Sequence, residues 1–213
     1  MTTSFTDMGL CEQLLKRLAE LKISTPTAIQ NKIIPQAMHT RQPDLIGCAP
    51  TGTGKTLAFG LPLLMHLKNQ PQAHALVIVP TRELAAQVLK QLRSLSSLPS
   101  ALLIGGEAMS KQLRQLDKSP RLIVGTPGRI NDHLERKTLS LKSSNFLVLD
   151  ETDRMLDLGF SVQINRIIPQ MHPQRQTLLF SATLPSNIQQ LAAKYQDKPE
   201  IIRISPWRAT ACS

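Results

Sequence analysis

Apolar positions along the chain follow two alternating rhythms. Short runs that are apolar at consecutive positions occur at residues 44–49 (DLIGCA), 75–80 (ALVIVP), 101–106 (ALLIGG), 121–126 (RLIVGT), 146–151 (FLVLDE), 176–182 (QTLLFSA) and 200–204 (EIIRI). Runs of this length, rich in Val, Ile and Leu, predict strands buried on both faces. Between most of them the apolar spacing changes to three and four residues, which predicts amphipathic helices. These fall at 11–21, after Lys55, and at 82–95, 109–117, 127–136, 161–171 and 185–195. A further helix is expected through residues 27–36, with Thr25 as its N-cap and Pro26 as its first residue. Strands buried on both sides and alternating with helices predict an α/β fold, a mostly parallel β-sheet with helices on both faces.

In such sheets ligands sit at the carboxyl ends of the strands. The polar and glycine-rich residues of this chain gather at those ends. Ala49, Pro50, Thr51, Gly52, Thr53, Gly54, Lys55 and Thr56 follow the first strand and open a helix. Strand, glycine-rich turn and helix in that order aim backbone N–H groups and the helix dipole at one anion. Lys55 is expected to reach the β- and γ-phosphates of a nucleotide, and the Thr56 hydroxyl to ligate Mg²⁺. The strict P-loop pattern has Gly where this chain has Ala49.

Two carboxylates, Asp150 and Glu151, end another buried strand. Beside a phosphate loop they suit hydrolysis, Asp150 holding Mg²⁺ directly or through water and Glu151 orienting the attacking water. An acid after a strand also caps the following helix, which is the plain structural reading of Asp150.

Composition narrows the class. The 213 residues suit one domain with an ordinary apolar content of 41%. One unit is expected over residues 1–205, with 206–213 as a tail or the start of a linker. No stretch has transmembrane length, and the first residues do not read as a secretory signal. Cys11, Cys48 and Cys212 are three and far apart, so neither a disulfide framework nor a zinc site is expected, and the chain reads as cytoplasmic. The five histidines lack metal-ligand spacing and are expected to be exposed or locally bonded. A net charge of +10 favours polyanionic partners, although the basic residues are spread along the chain, and 3% aromatic content argues against extensive base stacking.

Taken together, the loop at 49–56, PTRELA at 80–85, Gly105-Gly106, TPGR at 126–129, DETD at 150–153 and SAT at 181–183 resemble the motif series of the DEAD-box RNA helicases. Ala at the first P-loop position is also that family's choice. The resemblance implies a RecA-like P-loop NTPase domain that binds ATP or ADP with Mg²⁺. It implies that Gln30, in the Q motif from Thr25, selects adenine, and that Phe5 packs beside the base. Ile23 stands where the family usually stacks an aromatic ring on adenine, Lys22 where it has Gly, and Thr152 where it has Ala. The resemblance also implies that Pro80, Thr81, Arg82, Glu83, Gly105, Gly106, Thr126, Pro127, Gly128 and Arg129 grip RNA without sequence preference. Ser181 and Thr183 are implied to bond back to Asp153 and couple hydrolysis to strand separation.

Family members carry a second RecA-like domain with arginine fingers. Alone, this chain is therefore expected to be a monomer that binds nucleotide with little ATPase and no unwinding, accessory proteins being further partners of the whole enzyme. Two other classes stay open: a DNA helicase or translocase domain, and a non-catalytic RNA-binding module.

Overall fold

The computed structural model describes residues 4–204. The tail at 206–213, with Cys212, lies outside them. Seven strands form one sheet: β1 (Leu45–Cys48), β2 (His74–Ile78), β3 (Ser100–Leu103), β4 (Leu122–Gly125), β5 (Ser144–Leu149), β6 (Gln176–Ser181) and β7 (Glu200–Arg203). Their order is β3-β4-β2-β5-β6-β1-β7, and every pairing is parallel. Each lies within or beside a run expected to be a strand. Several runs extend past their strands because the last residues turn away at the carboxyl edge.

Alternate residues of each strand feed opposite layers. Val77, Phe146, Val148, Leu178 and Phe180 pack into one apolar cluster with α1 (Glu12–Glu20), α2 (Ala28–Ala37), α3 (Lys55–Asn69) and α4 (Arg82–Leu95). Leu76, Ile78, Leu147, Leu149 and Leu179 pack on the other side. There they meet α6 (Pro127–Glu135), α7 (Thr152–Asp157), α8 (Ser161–Ile167) and α9 (Ser186–Tyr195), while α5 (Met109–Leu116) lies against β3. Gly47 makes the first layer possible at β1, since a Cβ there would stand 2.6 Å from the Phe180 ring.

Two local expectations change. Helix α2 starts at Ala28 and is capped by Thr27, not Thr25. Thr27 has Gln30 three residues on, so each side chain can take the other's backbone N–H in a capping box, and Thr25 has no such partner. The expected helix at 161–171 gives way at Pro169 to a 3-10 turn, Ile168–Gln170. Helix α7 and a 3-10 turn at Phe5–Met8 are too short for periodicity to signal.

The strand order divides the carboxyl edge. β3, β4 and β2 end in the residues around 105, 126 and 80, while β5, β6 and β1 end in those around 150, 181 and 49.

Candidate nucleotide and nucleic-acid sites

The glycine-rich loop leaves β1 with the Ala49 amide bonded to the Ser181 carbonyl at 3.1 Å. Gly52 and Gly54 adopt left-handed φ values of 78° and 91°, and Thr53 Oγ1 closes the turn on the Pro50 carbonyl at 2.8 Å. A Cβ on Gly54 would lie 2.4 Å from Gln30 Nε2, so no other residue fits the loop as packed. Thr51 and Gly52 are exposed at the tip, and Thr56 is half-buried on the first turn of α3. Lys55 is buried, and its ammonium donates to the Ala49 carbonyl at 3.2 Å, curling back across the loop. Left-handed glycines leading into a helix N-terminus, with a lysine folded back over them, offer the kind of donors a polyphosphate needs.

Gln30 is buried against this loop. Its Oε1 accepts from the Thr27 amide at 2.9 Å and its Nε2 donates to the Gly54 carbonyl at 3.0 Å. One amide hydrogen and one carbonyl lone pair are left over. Phe5 is buried and, with Leu18, Lys22 and Ile23, lines an apolar hollow of about 440 Å³. Thr25 is exposed and does not line that hollow.

Asp150 follows β5 as its amide bonds the Ile78 carbonyl at 3.0 Å. Burial pushes its carboxyl up to about 6, and the Lys55 ammonium pulls it part of the way back. Its Oδ1 accepts from the Glu151 amide at 2.9 Å, which fixes the carboxyl in place. Glu151, the N-cap of α7, sits at φ 51°. A left-handed glutamate costs on the order of 1–3 kcal/mol and persists only where the surroundings enforce it. Its carboxylate reaches Arg154 Nη1 at 3.2 Å. Thr152 is fully buried and bonds the Leu149 carbonyl at 3.3 Å, so its extra hydroxyl is satisfied without touching either acid.

At the second residue of α7, Asp153 Oδ2 accepts from the Ala182 amide at 3.0 Å, the Thr183 amide at 3.3 Å and Thr183 Oγ1 at 3.4 Å. The Ser181 hydroxyl does not join them. It is fully buried at the end of β6 and has no hydrogen-bond partner. The Ala182 main chain takes the place expected for Ser181.

The other half of the edge forms an open groove of about 660 Å³, lined by Pro80, Thr81, Arg82, Glu83, Gly105, Thr126, Gly128, Arg129, Asp132 and Phe160. Thr81 caps α4 through the Leu84 amide at 3.3 Å, and Pro127 opens α6, so two helix N-termini point into it. Arg82 lies across the glycine pair, where a Cβ on Gly106 would collide with its Nη1, and Gly106 itself has φ 79°. Arg129 is anchored on the Glu107 carbonyl at 3.1 Å and on Asp132 at 3.4 Å. Pro127 is buried beneath the groove. Asp132 and Phe160 were absent from the sequence expectation. Asp132 is detectable as the residue one turn beyond Arg129, whereas Phe160 arrives only because α8 packs on α6.

The remaining chemistry is quiet. His66 and His133 are buried, contrary to simple exposure; His133 is locally bonded, to Thr138 at 2.8 Å, whereas His66 bonds the distant Asn145 at 3.0 Å. Cys11 and Cys48 are free thiols. Among the described residues no helix is long and apolar enough to cross a membrane.

Known proteins share this arrangement. The chain is 44% identical to the ATP-dependent RNA helicase CshA of Listeria monocytogenes, over 98% of this chain and 41% of that protein. It is 40% identical to the DEAD-box ATP-dependent RNA helicase CshA of Bacillus subtilis, over 96% of this chain and 42% of that one. The chain thus spans less than half the length of these relatives. A DEAD box protein from Methanococcus jannaschii superposes with a TM-score of 0.87 at 37% identity, covering 94% of this chain and 55% of the other. Residues 27–191, which hold both halves of the carboxyl edge and all the expected site residues except Phe5, Ile23 and Thr25, match the family model for DEAD/DEAH box helicases, and the chain belongs to that family.

Proposed function

We propose that this chain is the ATP-binding half of an ATP-dependent RNA helicase, which binds and hydrolyses ATP and loosens short RNA duplexes once joined to a second RecA-like domain. One observation carries the reading. A phosphate nest with a buried lysine and a buried acid shares a sheet edge with a groove of phosphate ligands, and α7 bridges the end of β5 to the end of β6. The two relatives, both ATP-dependent RNA helicases, agree with it.

In this reading the amides of residues 51–56 hold the polyphosphate, and Lys55 turns from the Ala49 carbonyl to a phosphate oxygen. The unused amide valences of Gln30 face adenine, beside Phe5, Ile23 and the Thr25 segment. Thr56 and Asp150 would hold Mg²⁺, Asp150 partly through water. The ion supplies neutralisation of phosphate charge. Asp150 must be ionised to serve, which the cation and Lys55 both favour. Glu151, held next to it by the left-handed turn, accepts a proton from the attacking water. Asp153, through the Ala182 and Thr183 amides, ties the acid loop to the end of β6 and couples the two halves.

The groove offers hydroxyls, backbone N–H groups and guanidiniums, which ligate phosphate and sugar and carry no sequence information. An arginine finger contributes about 10³–10⁵ in rate in related phosphoryl transfer, so the isolated chain binds nucleotide with little turnover. The test is ATPase of the full-length protein with and without RNA, beside Lys55→Ala and Glu151→Gln. RNA stimulation lost in both variants supports the reading. A rate indifferent to RNA and to both substitutions refutes it.

A further inference from the structure

A second groove, of about 480 Å³, runs down the outer edge of β3 against α5 and is lined by Arg93, Lys111, Arg114, Lys118, Gln115 and Glu107 among others. No motif assigns it a role. Four of its side chains are cations and one is an anion, and Glu107 is already paired with Lys111 at 2.7 Å. The lining is therefore strongly positive for its size.

β3 is the edge of the sheet, and an open strand edge usually invites another strand. This one is closed to such pairing. Arg93 donates through Nε to Ser100 Oγ and through Nη2 to the Ser100 carbonyl, each at 2.9 Å. Gln115 Oε1 accepts from the Leu102 amide at 2.9 Å. With the Ser100 carbonyl and the Leu102 amide already bonded, main-chain augmentation by a peptide has less to bond. What the edge still presents is the outward charge of Arg114, Lys118 and the free part of the Arg93 guanidinium.

The two grooves are also adjacent. Glu107 forms the wall between them: its carbonyl anchors Arg129 of the first at 3.1 Å, and its carboxylate pairs with Lys111 of the second. A polyanion leaving the first groove past Gly105 meets this surface next. We propose that the β3–α5 groove binds the phosphate backbone of the same RNA strand beyond the residues at the carboxyl edge, lengthening the RNA track down the side of the sheet. The proposal rests on the RNA reading above, and its test separates the two.

The 213-residue chain is titrated with fluorescent oligouridylates of 6 and 20 nucleotides over 50–200 mM salt. The 6-mer is short enough to lie in the first groove alone. The probe variant is Arg114→Glu with Lys118→Glu, since both residues are exposed and brace nothing, and its melting curve is expected to match the wild type. The 20-mer should bind at least tenfold more weakly to the variant. Its salt slope should shrink by about 1.4, the counterions of two single-strand phosphates, while the 6-mer is unchanged. The neutral pair Arg114→Gln with Lys118→Gln should show the same fall in salt slope with a smaller loss of affinity. Arg129→Ala, in the first groove, should weaken both lengths.

If the double variant binds both lengths like wild type, or loses both equally, the extended track is refuted, while Arg129→Ala still reports on the first groove. Failure of the wild-type chain to bind the 20-mer also overturns it. If polyglutamate of matched charge displaces the 20-mer as well as unlabelled RNA does, the groove is a site for acidic peptide, and the RNA proposal falls.

Discussion

Asp150→Asn isolates the conflict between folding and function at the acid loop. The carboxyl is 3% exposed, and its pKa rises from 3.8 in a free chain to about 6 in the fold. A group whose folded pKa is raised contributes fully below its unfolded pKa, and that contribution is lost as pH climbs through the folded value. The relevant window is therefore about pH 4 to 6. At 1.36 kcal/mol per unit, a shift of roughly 2 units makes the ionised Asp150 cost about 3 kcal/mol at pH 8. Asn resembles the protonated acid in shape, and its Oδ1 can still accept the Glu151 amide. The variant should be more stable than wild type by about 1 kcal/mol at pH 4.5 and about 3 kcal/mol at pH 8. Urea unfolding without Mg²⁺ or nucleotide, at half-unit pH steps, measures the difference. Mg²⁺-dependent nucleotide binding should be lost in the same variant. A stability difference that is flat with pH, or an Asn variant less stable than wild type at pH 8, refutes the argument that desolvation dominates this site.

Gly54→Ala should destabilise the chain by about 1–3 kcal/mol, through the left-handed φ and the clash with Gln30, and weaken nucleotide binding; chemical unfolding and a fluorescent-nucleotide titration read both. Asp153→Ala strands the Ala182 and Thr183 amides, so in the full-length protein RNA unwinding should fall further than RNA-stimulated ATPase, and equal losses would deny a coupling role. Ile23→Tyr restores an aromatic ring to the hollow beside Phe5; stacking of about 0.5–1.5 kcal/mol predicts roughly 2- to 12-fold tighter ADP binding, visible by calorimetry.

The strands and long helices are legible because their signals are local. A buried strand is a run of β-branched and leucine residues, and α4 repeats its apolar positions every three or four residues over 14 residues. The loop at 49–56 and the acids at 150–151 are legible for the same reason, since each is a contiguous string whose spacing carries the chemistry. Short elements escape: α7 has six residues, less than two turns, and Thr25 mimicked a cap until Thr27 found Gln30.

Sequence alone thus determined the parallel α/β class, the identity of the phosphate loop and of the two acids, and the placement of polar residues at strand ends. Only the tertiary structure decided which ends are neighbours. The strand order sets the residues around 80, 105 and 126 on one half of the edge and those around 49, 150 and 181 on the other. It gave Asp153 the Ala182 amide in place of the Ser181 hydroxyl, wedged Gln30 against Gly54, brought Phe160 to a groove built by residues far from it in sequence, and set that groove beside the basic edge of β3. Rise, twist and hydrogen-bond period are set by nearest neighbours along the chain. Contacts across tens of residues depend on how whole layers pack, and no local pattern encodes them.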